Sequence, residues 1–109
     1  MTRDKLQENI EQLTEKVIQM LAAKGPEYQH GENVFSNFET NADDLGLTRY
    51  QIWSVYFSKH VKSIINAIKN NPNNPGKAKL SEEYQGRIID AIAYLHLLNA
   101  MIEQEKKTN

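Results

Sequence analysis

Apolar residues recur along most of the chain at intervals of three or four, which is the spacing of one face of an α-helix. The first such stripe consists of Leu6, Ile10, Leu13, Val17 and Leu21. Thr2 is a candidate N-cap for this helix. Lys24-Gly25-Pro26 is a stop, because glycine favours the left-handed cap and proline cannot continue a helix. The pattern predicts a first helix between these two points.

A shorter second helix is predicted from about Val34 to Leu45, because apolar residues keep helical spacing there, and Gly46 would end it. The preceding segment, residues 27–33, has no period and is typical of an ordered loop. Loops that rigid helices hold in place often carry binding residues.

Two longer helices are predicted in the second half of the chain. Thr48 and Gln51 form the pattern of a capping box at the start of the third helix. The predicted core stripe of that helix is Trp53, Phe57, Val61, Ile64 and Ile68. Ser81 is the predicted cap of the fourth helix, which follows a loop rich in asparagine and proline. No segment has the alternation of a strand, so we predict an all-α fold, a compact four-helix bundle-like single domain over residues 1–109.

The fourth helix is apolar over more than one face. Its main stripe is Tyr84, Ile88, Ala91, Leu95, Leu98 and Ile102. A second row, Tyr94, Leu97 and Met101, lies beside it with Asp90 at its head. Together the rows exceed the ~100° that one packing contact needs. We therefore expect this helix to lie centrally and to contribute to a homo-oligomer interface.

Composition narrows the classes of partner. The 109 residues are 39% hydrophobic and 25% charged, with a formal net charge of -1. Such a balance lacks the broad basic field of a duplex-DNA binder. No run approaches the roughly 18 apolar residues of a membrane span, and the N-terminus has no secretory pattern. The absence of cysteine excludes thiolate chemistry and Cys-based zinc sites. We expect a soluble cytoplasmic protein.

Polar residues interrupt the apolar stripe of the third helix. His60 projects near the middle of the stripe, and Tyr56, Lys59 and Ser63 line the adjacent flank. One interpretation is a core histidine with a hydrogen-bonded partner and a lysine that extends to solvent. The other is a set of donors with one exchangeable proton, which suits an anionic or nucleotide ligand.

A matching group lies on the fourth helix, where Arg87, Asp90 and Tyr94 share one flank. Asp90 has apolar neighbours and is costly to bury unless it is paired. It could form a salt bridge to Arg87, Lys59 or His60. Alternatively it could accept a hydrogen bond from a ribose hydroxyl or a base amine, or bind a metal.

A magnesium site has little support in the sequence. Metal-assisted phosphoryl chemistry needs several converging carboxylates. The third helix contains no acidic residue, and Glu83 and Asp90 lie two turns apart on the fourth. Acidic residues between 27 and 44 could complete a site, but their spacing does not require it. We expect no catalytic residue, metal or cofactor, with magnesium needed only under the enzymatic alternative.

Several short motifs carry a resemblance to a known family. They are Lys24-Gly25 with Glu27-Tyr28, Phe35 with Asn37-Phe38, Lys59-His60 with Ser63-Ile64, and Arg87-Ile88 with Asp90 and Tyr94-Leu95. In this order they resemble small phage and prophage proteins of the nucleotide-modification-associated family. That family is similar to the all-α, MazG-like nucleotide pyrophosphohydrolases. The resemblance covers roughly residues 22–102 and implies a phage origin, an all-α fold and a nucleotide ligand.

For the MazG-like enzymes, the resemblance also implies magnesium and cleavage of a nucleoside triphosphate. Those enzymes resemble one another through paired acidic motifs on two facing helices, and one pair has no counterpart in this chain. Gly86 stands four positions before Asp90, where relatives often have an acidic residue. Fewer carboxylates beside retained cationic groups suit anion binding better than a metal cluster.

The resulting hypothesis is a phage-encoded protein, acting in the cytoplasm of the infected bacterium, that sequesters a nucleotide immune signal of the cyclic dinucleotide or cyclic ADP-ribose type. Lys59, His60 and Arg87 would contact phosphates, and Asp90 and Ser63 the ribose or base. A base would stack on Tyr28, Trp53 or Tyr56, and the remaining ligand-binding candidates are Asn37 and Tyr94. The alternatives are a magnesium-dependent pyrophosphohydrolase and a protein-binding inhibitor of a host factor.

Overall fold

The computed structural model describes residues 1–23, 33–77 and 83–108. These ranges contain four α-helices, a short 3-10 helix and no β-strand. The α-helices are Arg3–Ala23 (α1), Ser36–Leu45 (α2), Arg49–Asn70 (α3) and Tyr84–Thr108 (α4), and the 3-10 helix is Pro75–Lys77. The prediction of an all-α, four-helix fold is confirmed. The single domain and the homo-oligomer stay predictions.

The chain forms two units, Met1–Val34 and Phe35–Asn109. Helix α1 begins as predicted, because the backbone N–H of Lys5 donates to the Thr2 hydroxyl over 3.2 Å. Side chains one turn apart, such as Gln7 and Glu11, hydrogen-bond along its solvent-exposed side. The predicted stop at Lys24-Gly25-Pro26 and the predicted cap Ser81 lie outside the described residues.

Local capping chemistry fixes the ends of α2 and the start of α3. Gly46 adopts the left-handed conformation, φ 66°, and its N–H donates to the Ala42 carbonyl, which closes α2. The Thr48 hydroxyl accepts from the Gln51 N–H over 3.1 Å. The Gln51 side chain in turn accepts from the Thr48 N–H over 2.8 Å, so the predicted capping box is present.

The second unit is built on α3, which packs against both α2 and α4. Trp53 stacks on Phe57 with ring centroids 4.7 Å apart, and Phe38 packs edge-on against Tyr94. The buried cluster consists of Phe35, Phe38, Ala42, Ile52, Trp53 and Met101. Hydrophobic burial among these aromatic side chains stabilises the arrangement of three helices.

Helix α4 packs against the core through residues of both apolar rows. Met101 is completely buried, and Tyr94 and Leu97 pack against the aromatic cluster. By contrast Leu95 is 49% exposed and Ile102 is 40% exposed, although both belong to the predicted main stripe. Leu98 of the main stripe also packs against the cluster, so the core side of this half of α4 consists of the second row together with Leu98. Since both rows are apolar, the aromatic side chains of α2 and α3 decide which residues face inward.

Arg49 joins all three helices of the second unit through its guanidinium. One terminal nitrogen donates to Glu39 of α2 over 2.9 Å and to Gln104 of α4 over 3.0 Å. The other donates to Glu105 over 3.1 Å and to the Met101 carbonyl over 3.4 Å. The Arg49 side chain is only 14% exposed. A planar group with five donors is suited to such a multiple contact, which lysine could not reproduce.

The surroundings of Arg49 maintain its charge. Burial opposes that charge, but the neighbouring Glu105, Tyr50 and Glu39 side chains outweigh it and raise the pKa of Arg49. The Arg49 guanidinium also lies 5.3 Å from the centre of the Phe35 ring and 5.6 Å from that of Tyr50. Burial and the adjacent Glu105 carboxylate raise the pKa of Tyr50, which keeps its hydroxyl neutral.

None of the helices in the described part of the chain combines the length and the apolar character that crossing a membrane requires.

We expect the Arg49→Ala variant to lose about 2–3 kcal/mol of unfolding free energy, because it removes a nearly buried cation together with its hydrogen bonds to α2 and α4. Urea unfolding followed by circular dichroism measures this loss. Lys106→Ala is the matched control, since Lys106 is 70% exposed and pairs only with Glu103 along its own helix. That control should change stability by less than about 0.5 kcal/mol. Equal effects of the two changes would contradict the role given to Arg49.

Two neighbouring residues test which row of α4 forms the core. Met101→Ala should cost about 2–4 kcal/mol, because it leaves a cavity at a fully buried position. Ile102→Ala should cost below about 1 kcal/mol, because that side chain is already 40% exposed. The same urea titration compares them, and a larger loss for Ile102→Ala would overturn the assignment.

Candidate functional site

Helices α3 and α4 run antiparallel, so that early residues of α3 meet late residues of α4. Arg49 contacts Gln104, and the Trp53 indole N–H donates to the Tyr94 carbonyl over 2.7 Å. Two turns further along α3, His60 meets Asp90. The predicted polar residues of the two helices therefore share one region of this interface.

His60 and Asp90 form the centre of the region. The Nδ1 atom of His60 lies 3.9 Å from Oδ2 of Asp90, and each side chain is about one quarter exposed, at 26% and 25%. The His60 ring also packs on the Tyr94 ring, with centroids 4.7 Å apart. Of the three salt-bridge partners considered for Asp90, His60 is one that it meets. The pair is ionic only when the imidazole is protonated.

Ser63 and Arg87 lie one helical turn further along the same interface than His60 and Asp90. Ser63 follows His60 by one turn and Arg87 precedes Asp90 by one turn, which is the order that antiparallel helices bring together. The Ser63 hydroxyl is buried and makes no hydrogen bond to any residue of the described ranges. Arg87 is half-buried, and its Nε atom is inaccessible to solvent. At this interface Ser63 supplies a buried hydroxyl and Arg87 a positive charge that a ligand could use.

Lys59 lies on the other side of His60, towards α2. Its side chain is exposed, with Nζ 5.9 Å from the centre of the Tyr56 ring. The Tyr56 hydroxyl accepts a 2.8 Å hydrogen bond from Asn41, which also donates to the Asn37 carbonyl over 2.9 Å. Asn37 itself is exposed. Lys59 is thus a cation that can reach into solvent from the edge of the His60–Asp90 pair.

The aromatic candidates are engaged in packing. Trp53 is 9% exposed, stacks on Phe57 and uses its indole N–H within the protein. Tyr56 and Tyr94 both pack against Phe38, with centroids 6.0 Å and 5.9 Å away. Tyr28 lies outside the described residues. The contacts of Trp53, Tyr56 and Tyr94 support the core, and their stacking on a ligand stays a prediction.

The carboxylates of the described ranges do not come together around one point. No group of three histidine, aspartate or glutamate side chains in this part of the chain could hold a metal ion. Glu83 is exposed just before α4 begins, whereas Asp90 faces His60. Glu27 and Glu32, which the enzymatic alternative would need, lie outside the described residues.

A pocket that the sequence did not indicate adjoins Arg87. It has a volume of about 220 Å³ and lies between α3, the 3-10 helix and α4. Arg87 is its charged lining residue, and Tyr84 contributes an aromatic ring. Helical periodicity placed Tyr84 in the main apolar stripe of α4, and 46% of its surface is exposed. The Pro75-Gly76 turn was the available indication, because it shows where the chain reverses beside the first turn of α4.

Comparison of the whole chain with protein-family models, curated proteins and solved structures finds no match. The resemblance to the nucleotide-modification-associated family stays a prediction.

A double-mutant cycle tests whether His60 and Asp90 interact. Combining His60→Gln with Asp90→Asn should give a coupling of about 0.5–1 kcal/mol in unfolding free energy, measured at mildly acidic pH where histidine is protonated. His96→Gln is the matched control, because His96 is exposed on α4 itself. Its cycle with Asp90→Asn should show no coupling. A zero value for the His60 cycle would contradict an energetic pairing.

Proposed function

We propose that this protein binds a nucleotide-derived anion at the α3–α4 interface and holds it without turnover. The observation that carries the proposal is the buried Ser63 hydroxyl, without a hydrogen bond to any described residue, one turn from the His60–Asp90 pair. A buried hydroxyl that lacks a partner costs about 1–3 kcal/mol. A ligand that hydrogen-bonds to Ser63 would recover this free energy on binding.

The charges around Ser63 favour an anion as that ligand. Helix α3 carries Lys59 one turn from Ser63 and contains no acidic residue. Arg87 adds a guanidinium from α4, which suits a phosphate because of its planar donors. Asp90 is the carboxylate of this group and supplies an acceptor for a hydroxyl or an amine. Phosphate groups combined with ribose hydroxyls or base amines match this set of donors and acceptors.

The side chains near Ser63 are better suited to sequestering a ligand than to hydrolysing it. Phosphoryl transfer assisted by magnesium uses several carboxylates to hold the ion and orient water. Here one carboxylate, Asp90, lies among Lys59, His60 and Arg87. These side chains can neutralise and retain an anion, and tight retention needs only binding free energy, about -12 kcal/mol for a nanomolar dissociation constant.

The biological setting of the proposal comes from the resemblance. We propose a phage-encoded protein that acts in the cytoplasm of the infected bacterium and removes a cyclic dinucleotide or cyclic ADP-ribose derivative used in host defence. We also propose that it acts as a homo-oligomer. The exposed side chains of Leu95 and Ile102 on the outer face of α4 support self-association, because their burial between subunits would be favourable.

The fate of the ligand separates the functions. Purified protein is mixed with nucleoside triphosphates and cyclic nucleotides, with and without magnesium, then washed and heat-denatured. We expect an intact nucleotide that appears only after heating, because the site retains it unchanged. New products in the magnesium sample would favour a pyrophosphohydrolase, and absence of any bound or altered nucleotide would favour a protein partner. Chromatography of both fractions provides the readout.

Variants connect this binding to the site. Lys59→Ala combined with Asp90→Asn should weaken nucleotide affinity about 100-fold, near 3 kcal/mol, because a phosphate contact and an acceptor are both lost. Calorimetric titration measures the change. Lys62→Ala is the matched control, since it removes an exposed lysine of α3 that has no role in the proposed site. Equal affinities for the double variant and the control would refute the placement of the site.

A further inference from the structure

The pocket beside Arg87 is apolar over nearly all of its wall. The pocket lies between the two antiparallel helices, starting at the residue after Ser63 on α3, and Arg87 of α4 belongs to its lining. Its main lining residues are Ile64 and Ile68 of α3, Pro75 of the 3-10 helix, and Tyr84, Arg87 and Ile88 of α4. Arg87 thus belongs both to the polar group around Asp90 and to this pocket. A ligand bound at Arg87 could extend in both directions.

We propose that the pocket receives the base of the nucleotide, stacked on Tyr84, while Arg87 lies between the base and the phosphates. This inference rests on the proposed nucleotide binding and specifies how that ligand lies. An apolar cavity of about 150 Å³ is large enough to bind benzene, so a volume of about 220 Å³ accommodates a nucleobase. Tyr84 offers a partly exposed ring, whereas the ring of Trp53 is committed to the core.

Gly76 positions the Tyr84 ring. A Cβ atom at residue 76 would lie 3.3 Å from Cε1 and 3.6 Å from Cδ1 of Tyr84, so the 3-10 helix closely approaches one edge of the ring. A larger residue would push the ring away from its place beside Pro75. The contact restricts the ring before any ligand arrives, which reduces the entropic cost of stacking.

The chemistry of the lining predicts which bases are preferred. Ile64, Ile68, Pro75 and Ile88 have no side-chain hydrogen-bonding group, so they cannot distinguish one base edge from another. Stacking on an aromatic ring tolerates every base and strengthens with the area of contact. The ligand class is therefore a purine nucleotide, with little discrimination between adenine and guanine.

The test compares probes with and without a base by calorimetric titration. The probes are ATP, cyclic di-AMP and tripolyphosphate, which has phosphates only. We expect Tyr84→Ala to weaken the binding of the purine probes about tenfold and to leave tripolyphosphate unchanged, because only stacking is lost. Tyr84→Phe should retain the wild-type affinities. Val55→Ala is the matched control, because Val55 is an exposed apolar residue of α3 that does not line the pocket.

A second variant keeps the test valid if Tyr84→Ala fails to fold. Ile68 is 47% exposed at the pocket wall, so Ile68→Gln should fold and should also weaken only the probes that carry a base. Purine probes that bind the wild type but lose nothing in either variant would overturn this inference and leave the proposed function intact. Failure of all three probes to bind the wild type would contradict the proposed function itself.

Discussion

The arrangement of the second unit depends on the Arg49 guanidinium, which lies at the N-terminus of a helix, where a positive charge is unfavourable. Arg49 is the first residue of α3, where the positive end of the helix dipole disfavours another positive charge. Its guanidinium compensates by binding Glu39 of α2 together with Glu105 and the Met101 carbonyl of α4. These contacts connect α3 to both α2 and α4, and the Arg49 side chain is only 14% exposed. One residue thereby sets how three helices meet.

This anchoring has consequences along the whole α3–α4 interface. Once Arg49 fixes the end of α4 that contains Gln104, the antiparallel order determines every later level. The Trp53 indole reaches the Tyr94 carbonyl, and His60 then faces Asp90. A rotation of α4 that exposed Met101 would break the Arg49 contacts and would also separate His60 from Asp90. The geometry of the candidate site is therefore a result of packing at a distance of several helical turns.

The features of the fold that depend on residues close in sequence were predictable. The features that depend on which helix faces pack together were not. The Thr48–Gln51 capping box and the Gly46 cap involve residues close in sequence, and both are present. Which residues of the two apolar rows of α4 face the core was not predictable, because both rows have helical spacing and only the aromatic partners distinguish Met101 from Ile102.

In the same way, some residues of the candidate site and its surroundings were recognised from the sequence and others were not. His60 and Asp90 attracted attention because polar side chains in apolar stripes require partners, and the structure pairs them. Arg49 was overlooked, although an arginine in the first turn of a helix without acidic residues indicates an anion from elsewhere in the fold. Tyr84 was recognised only as a member of the apolar stripe, because periodicity describes a face of a helix and not what covers it.

The residues that stabilise the fold and those of the proposed binding site lie in different parts of this interface. The aromatic cluster and Arg49 hold the three helices together at one end, where the core side chains are buried and Arg49 is only 14% exposed. The level that contains His60, Ser63, Arg87 and Asp90 adds little to folding, because apolar residues of similar volume would pack there without the cost of desolvating charges. The Ser63 hydroxyl carries that cost without a hydrogen bond to any residue of the described ranges. A ligand that hydrogen-bonds to Ser63 would find a site already formed, since the anchoring interactions lie elsewhere. This separation is what a protein that binds tightly without large rearrangement requires.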